Sequence, residues 1–270
     1  MKKISKVVCV ILTAIFCFGA FAGCGFSEKK VRSADLTAAV KKRTVAAKTA
    51  DETFTAAYDD FAVKMTKELY NGNNTCISPL SIAAAFGMVT NGAKGETKSE
   101  LESLLGCSVG ALNEYFAALM NKAADGEQLH VANSVWSKKN AVTVDDGFLD
   151  IVKNYYRAQV YSADFDGKTV QDINNWVYNN TRGGIDKIID DIDSDMVMFL
   201  INALDFEAEW REKFEKNSVR DATFYGTKNE STVQMMYANE SRYLADENAK
   251  GFIKPYAGGE FKFAAILPNE

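Results

Sequence analysis

The hydrophobic pattern changes period along the chain, and this change constrains the fold more than any other feature of the sequence. Apolar residues at positions 54, 58, 61, 65 and 69 follow helical spacing. Helices are also predicted from residue 79 to about 92, and over 96–105, 109–124, 145–156 and 169–180, whereas strand-length apolar segments cover 129–136, 158–165, 196–201, 233–236, 252–253 and 261–267. Because helices dominate the first part and strands the second, the sequence predicts an α+β fold.

The charge balance argues against two classes of function. The chain has 31 Lys and Arg against 36 Asp and Glu, a net charge of −5, and a single histidine. A weakly acidic chain without a basic stripe is a poor binder of nucleic acid. One histidine cannot build a multi-histidine metal site. We therefore predict no nucleic-acid partner, no metal and no cofactor.

The first residues have the order of an export signal. Three lysines precede an uncharged segment over residues 7–22, which is shorter than the ~20 apolar residues that a membrane span needs. The segment ends Phe21-Ala22-Gly23-Cys24, which resembles the bacterial lipobox, although Phe21 stands where Leu is usual. We predict a lipoprotein-type signal peptide over residues 1–23 and a lipid on Cys24. The alternative is an ordinary signal cut near Ala22, with Cys24 incidental.

The rest of the chain divides into a polar segment and one domain. Residues 24–50 are rich in Lys, Ala and Thr, which predicts a tether to the membrane, and residues 51–270 show no linker. The predicted location is therefore extracellular or at the cell surface of a bacterium, with the lipid on Cys24 as the only membrane contact. We expect Cys76 and Cys107 to be small buried hydrophobic residues.

No pattern of a catalytic site is evident. His130 lies in a strand pattern without a Gly-x-Ser-x-Gly elbow, so a structural role is favoured. The glycines of residues 92–97 lack the Gly-Lys-Ser/Thr of a phosphate loop, and the five aspartates of residues 186–195 lack the glycine and final Glu of a calcium loop. These absences favour a binding or inhibitory protein over an enzyme.

Several motifs, in order, resemble the serpin family. The first is Asn74-Thr-Cys-Ile-Ser78-Pro79-Leu-Ser81, followed by Gly92-Ala-Lys-Gly95-Glu-Thr97. Ala132-Asn133-Ser134 and Leu200-Ile-Asn202-Ala203 are similar to the family's second and third strands of sheet A. Asn175-Trp176-Val177, then Thr181-Arg-Gly183, resembles its helix F motif, and the resemblance extends over about residues 54–270.

The resemblance implies a fold and an activity. The implied fold is serpin-like, with N-terminal helices packed on a large mixed β-sheet A and additional sheets B and C. The implied function is inhibition of a serine protease, or also a cysteine protease, through a bait loop that is cut and then inserts into sheet A. By comparison with the family, the chain stops after a sheet-B strand, so the bait loop and strand 5 of sheet A are expected to be missing. Ala208 stands where the family commonly has Gly.

The resemblance also assigns residue roles. Asn74, Ser78, Ser81 and Asn202 match the shutter region, where the parting of sheet A is controlled. Trp210 matches the breach, where insertion begins. The alternatives are an N-cap role for the serines, a satisfied buried amide for Asn202 and a core aromatic for Trp210. Two other functions stay open: a non-inhibitory serpin-fold surface binding protein and, less favoured, a solute-binding lipoprotein.

Overall fold

The structure is a computed structural model that describes the backbone of residues 11–16 and, in full, residues 26–126, 128–226 and 229–269. The predicted lipidation site Cys24 lies outside the described residues. The chain forms two compact units, Met1–Glu207 and Ala208–Glu270.

The described residues of the first unit form six α-helices. They are α1 (Glu52–Leu69), α2 (Pro79–Gly92), α3 (Gly95–Leu105), α4 (Val109–Asp125), α5 (Asp146–Tyr156) and α6 (Gly167–Asn180). All but α3 begin after an Asp or Ser whose side chain accepts a hydrogen bond from a backbone N–H of the first turn. These caps place the helix starts within three residues of the positions that the sequence predicted.

The described strands of the first unit form a mixed sheet. Its strands are β1 (Ile11–Phe16), β2 (Ala34–Asp35), β3 (Leu129–Lys138), β4 (Gln159–Ala163) and β5 (Met198–Phe206), in the order β1-β5-β3-β4-β2. β5 pairs antiparallel with β3 and parallel with β1. The sequence predicted the β5 strand over 196–201; the structure begins it two residues later and extends it to Phe206, because it pairs with β3 up to Leu129.

The sheet is buried on both faces, which explains its continuous apolar strands. Val135 and Leu200 point into a core shared with α1, α2, α4 and α5. Their chain neighbours Trp136 and Ile201 point into a second core with Trp176 and Val177 of α6. Successive strand residues alternate between faces, so both kinds of position must be apolar.

The second unit is built of short antiparallel strands. β6 (Val219–Tyr225) pairs with β7 (Glu230–Met236), and β9 (Ala249–Pro255) lies between β8 (Arg242–Ala245) and β10 (Lys262–Pro268). Together with the mixed sheet, these give the three sheets that the resemblance implied, with helices first and most strands later, and the α+β prediction is confirmed.

The described part of the predicted tether, residues 26–50, lies along the first unit. Asn179 of α6 exchanges two hydrogen bonds of 2.8 Å with the backbone of Lys29. The buried carboxylate of Asp172 accepts three more, from the backbone N–H groups of Arg32 and Ser33 and from the Ser33 hydroxyl. The backbone of Arg43 donates to Asn154 of α5 at 2.9 Å. Side-chain bonds from α5 and α6 therefore hold this segment against the unit.

Replacing Asp172 by alanine is expected to lower the free energy of unfolding by about 2–3 kcal/mol, because three donors lose a charged, buried acceptor. The matched control is Asp186→Ala, which removes an exposed 2.6 Å ion pair to Lys29 of the same segment. A surface ion pair contributes at most about 1 kcal/mol. Urea unfolding followed by circular dichroism measures both. Equal losses would contradict the argument from burial.

The cysteine prediction was half wrong. Cys107 is partly buried, and burial raises the pKa of its thiol. Cys76 is exposed, because it lies in the loop between α1 and α2, before the chain turns inward at Ser78. Within the described residues no helix is both long and apolar enough to span a bilayer.

Candidate functional site

Two asparagine side chains pair at the centre of the mixed sheet. Asn133 of β3 and Asn202 of β5 are register partners, and each is 1% exposed. Asn202 Nδ2 donates to Asn133 Oδ1 over 2.7 Å, and Asn133 Nδ2 donates to the carbonyl of Tyr156 over 2.8 Å. This chain of hydrogen bonds joins β5 through β3 to the end of α5. The oxygen Asn202 Oδ1 has no hydrogen-bond partner in the structure.

Two serines lie at the start of α2, which packs against β5. Ser78 is the N-cap, and its Oγ accepts from the backbone N–H of Ser81 at 3.2 Å. Ser81 is 1% exposed, and its own Oγ has no hydrogen-bond partner. Ser81 Oγ and Asn202 Oδ1 are thus two buried acceptors without a hydrogen-bond partner. Burying such polar atoms unpaired costs free energy.

The predicted shutter residues are only partly brought together. Ser78, Ser81 and Asn202 are buried on the packed elements α2 and β5. Asn74 is exposed in the loop before α2 and does not join that buried group. Asn133 belongs to a strand motif in the sequence, but the motif did not predict a role for it. The role of Asn133 depends on its facing Asn202, a residue of the same type, across the β3–β5 pair. The sequence alone does not show this, because register is set only when the strands pair.

Asn202→Ala is expected to lower the free energy of unfolding, whereas Ser81→Ala is not. The first leaves Asn133 Oδ1 buried without its donor and should lower the free energy of unfolding by about 2 kcal/mol. The second removes a hydroxyl that has no partner and should be neutral or stabilise by up to about 1 kcal/mol. Chemical unfolding of the two variants beside the parent checks this. A marked loss in Ser81→Ala would show that its hydroxyl is engaged.

The four motif positions near α6 have structural partners. Asn175 Nδ2 donates to the carbonyl of Lys30 at 2.8 Å, and Trp176 Nε1 donates to Gln159 at 2.7 Å. Thr181 Oγ1 donates to the Val177 carbonyl and accepts from the backbone of Ile185. Gly183 has φ +83, where a side chain would be strained, and a Cβ there would lie 3.3 Å from the Tyr178 ring. These residues hold α6 and the turn that follows it.

Trp210 lies at the centre of an aromatic group in the second unit. It stacks on Tyr256 with ring centroids 4.4 Å apart and meets Phe214 and Phe263 edge-on. The backbones of Trp210 and Tyr256 also form an isolated antiparallel β-bridge. Trp210 is thus half-buried among aromatic side chains of its own unit.

A buried ion pair lies beside these rings. Lys254 of β9 is 3% exposed, and its Nζ donates to Oε1 of Glu240, which is also largely buried. Lys254 Nζ also lies 4.7 Å from the centroid of Phe214 and 5.7 Å from that of Trp210. The ammonium thus has a carboxylate and two ring faces as neighbours. No sequence pattern identified this pair, because Glu240 and Lys254 are 14 residues apart in a loop and a strand.

His130 takes a strand position, as the sequence analysis favoured. It is the register partner of Asp205 in the β3–β5 pair. Desolvation raises the pKa of Asp205, and the nearby His130 partly opposes the rise. Among the described residues, no group of three or more His, Cys, Asp or Glu side chains is arranged to hold a metal ion.

Comparison with known proteins gives consistent matches. The family model described as "Serpin (serine protease inhibitor)" matches residues 56–270. Plasma serine protease inhibitor from Mus musculus is 31% identical in an alignment 228 residues long that covers 78% of this chain and 56% of that protein. The chain thus spans little more than half the length of this curated relative.

Two solved structures of one protein, in different conformational states, resemble the chain. The native state of a thermophilic serpin, tengpin, is 41% identical with a TM-score of 0.85, covering 89% of this chain and 64% of that one. Its latent state is 42% identical with a TM-score of 0.78, covering 83% and 63%. The match covers both the helical part and the strands that follow it.

Proposed function

The chain belongs to the serpin family, and on this basis we propose that the protein from which it comes inhibits a serine protease. The observation that carries the proposal is the match of residues 56–270 to the family described as serine protease inhibitors. The protein acts as a target for cleavage and does not turn over a substrate of its own. Cysteine proteases are a second class of target to be tested.

The proposed mechanism uses an exposed loop as bait. The nucleophile of the protease attacks a peptide bond of the loop, the amine leaves, and an acyl-enzyme ester or thioester remains. Insertion of the cut loop as an extra strand of the mixed sheet then carries the protease along before water cleaves the ester. The two solved states of the similar serpin, native and latent, support a fold that can rearrange.

Strand insertion requires that backbone groups lose and regain partners. β5 is paired through the backbone on both sides, by β3 and by β1. β1 falls within the predicted signal peptide, so removal of the signal would free one edge of β5 for another strand. Buried N–H and C=O groups at such an edge need new partners, which favours pairing with an inserted strand.

The buried polar groups beneath β5 support a shutter role. Ser81 Oγ and Asn202 Oδ1 are uncommitted, and Asn202 Nδ2 makes one hydrogen bond across to β3. A region with spare acceptors can exchange hydrogen bonds at low cost while strands separate. We assign Ser78, Ser81, Asn202 and Asn133 to this role, and Trp210 to the start of insertion.

The experiment uses the whole gene product, since the chain spans only part of its relatives. The mature protein is incubated with a trypsin-like, an elastase-like, a subtilisin-like and a papain-like protease, and products are separated in detergent. We expect a detergent-resistant covalent complex with one serine protease and irreversible inhibition near one inhibitor per protease. If every protease cleaves the protein, and none forms a complex or loses activity, inhibition is contradicted and the non-inhibitory binding protein is favoured.

We also propose that the protein is exported and anchored by a lipid on Cys24. The support is the order of three lysines, an uncharged segment and Gly23-Cys24. Cys24→Ala should move the full-length protein from the detergent phase to the aqueous phase in Triton X-114 partitioning. Cys107→Ala, at a partly buried cysteine of the domain, is the matched control and should leave partitioning unchanged. Unchanged partitioning of Cys24→Ala would rule out the lipid.

A further inference from the structure

A polar cavity of about 750 Å³ lies between the N-terminal segment of residues 26–50, the end of α5 and the start of β4. Residues 42–45 form one side of it, and residues between 153 and 159 form the other. Its size falls within the range of about 300–1,000 Å³ that is typical of small-molecule sites. Val45 and Ala158 are the apolar residues of the lining, and none of the described residues that line it is aromatic. The lining therefore suits a hydrophilic ligand.

Three cationic side chains of the lining have no carboxylate partner. They are Lys42, Lys153 and Arg157, and none of them forms an ion pair within the part of the chain that the structure describes. Lys153 Nζ donates to the backbone carbonyl of Thr37, and Arg157 Nη2 donates to Asn121 Oδ1 at 3.0 Å. Both acceptors are neutral, so they orient these two cations without cancelling their charge.

Negative groups around the cavity offset only part of this charge. Arg43, a fourth cation of the lining, donates to both carboxylate oxygens of Asp150, so this pair adds no net charge. Asp35 also lines the cavity, and its Oδ1 accepts from the backbone N–H and the hydroxyl of Thr37. The C-terminal end of α5 contributes roughly −0.5 charge. Three unpaired cations against these groups leave the cavity with a net charge of about +1.5.

Two amide side chains add hydrogen-bond donors to the lining. Asn121 Oδ1 is occupied by Arg157, and Gln159 Oε1 accepts from Trp176 Nε1 at 2.7 Å. The amide nitrogen of each side chain is left to donate, and an ammonium or a guanidinium group can only donate. The opposing acceptor is Asp35, one of whose oxygens is already bonded. The available polar groups of the cavity are therefore mainly donors, which select a ligand rich in acceptor oxygens.

We propose that this cavity binds a small polyanion that carries phosphate groups and no aromatic ring, with pyrophosphate as its simplest member. The guanidinium of Arg157 can donate two parallel hydrogen bonds to one phosphate, whereas Lys42 and Lys153 act as point charges on the rest of the ligand. A phosphate is favoured over a single carboxylate because it offers more acceptor oxygens and a charge of about −1.5 to −2 at pH 7. None of the lining residues belongs to the shutter or to the aromatic group of Trp210, so the site is independent of the proposed protease inhibition.

The test is calorimetric titration of the whole gene product with pyrophosphate and with ADP, at physiological ionic strength and without divalent cations. We expect saturable one-to-one binding of pyrophosphate that weakens several-fold when added NaCl doubles the ionic strength, because the attraction is between charges. ADP carries the same diphosphate on an adenosine. We expect it to bind no more tightly than pyrophosphate, since none of the described lining residues offers a ring on which the base could stack.

Two variants test the location. Lys42→Gln removes a lining charge from the N-terminal segment and should lower the affinity for pyrophosphate several-fold. Lys41→Gln, at the neighbouring exposed lysine that does not line the cavity, is the matched control and should leave the affinity unchanged. Arg157 ends α5 with φ +51, a conformation that favours glycine. Arg157→Gly should therefore lower the affinity several-fold without lowering the midpoint of thermal unfolding.

Four results would overturn the proposal. The first is no saturable binding of pyrophosphate, and the second is binding of ADP that is at least tenfold tighter. The third is an equal loss of affinity in Lys41→Gln and Lys42→Gln, which would show attraction to the surface charge in general. The fourth is an unchanged affinity in Arg157→Gly.

Discussion

Lys254→Met is expected to lower the free energy of unfolding of the second unit by about 3–5 kcal/mol, the usual cost of breaking a buried ion pair from one side. Glu240 would be left largely buried without its ammonium partner. Methionine keeps most of the volume of the lysine stem, so little of the loss comes from a cavity. Urea unfolding followed by tryptophan fluorescence measures the change; Trp136 and Trp176 also contribute to the signal, and Trp210 reports on the site because Lys254 Nζ lies 5.7 Å from its ring.

The paired variant Lys254→Met with Glu240→Leu is the control. Replacing both partners by apolar residues removes the unpaired charge together with the pair, and such replacements are often neutral or stabilising. We therefore expect the double variant to regain most of the lost stability. A double variant as unstable as Lys254→Met alone would show that the lysine acts by contact with Trp210 and Phe214, and not through Glu240.

Gly87→Val is expected to lower the free energy of unfolding by about 3 kcal/mol, the upper end of the usual cost of overpacking. A Cβ at Gly87 would overlap the hydroxyl of Tyr156 and would lie 2.9 Å from a methyl carbon of Leu112. Tyr156 is fully buried and donates to Asn113 at 2.7 Å, so its ring cannot move without losing that bond. Gly87→Ala should show the same sign with a smaller loss.

Gly110→Ala is the matched helical control. A Cβ at Gly110 of α4 has no atom within 4 Å, so only backbone entropy and helix propensity act. These favour alanine over glycine by about 1 kcal/mol in a helix. Thermal melting should therefore rise for Gly110→Ala and fall for Gly87→Ala. A rise for both would mean that Tyr156 can yield, and that packing around α2 is looser than the distances indicate.

Much of the fold was readable from local patterns. The cap and proline at Ser78-Pro79 predicted the start of α2, and helical spacing predicted α1, α4 and α5. These signals are local because a helix satisfies its hydrogen bonds within a few residues. The apolar pattern of residues 196–201 alone covers only part of β5, because the length of a strand depends on its partner, and β5 pairs with β3 as far as Leu129 and Phe206.

The sequence likewise predicted only part of the candidate site. Ser78, Ser81 and Asn202 followed from sequence motifs, and the structure buries all three. Asn74 matched the same motif but is exposed, because residue identity does not determine on which side of a loop a side chain lies.

By itself, the sequence determined the class of fold, the order of helices and strands, the export-signal pattern and the serpin resemblance. All of these depend on residue spacing, on local capping or on motif identity. Only the tertiary structure decided that Asn133 faces Asn202, that Glu240 pairs with Lys254 and that residues 26–50 lie along the first unit. The reason is physical: such contacts join residues far apart in the chain, and their energies depend on burial and on strand register, which form only when the elements pack.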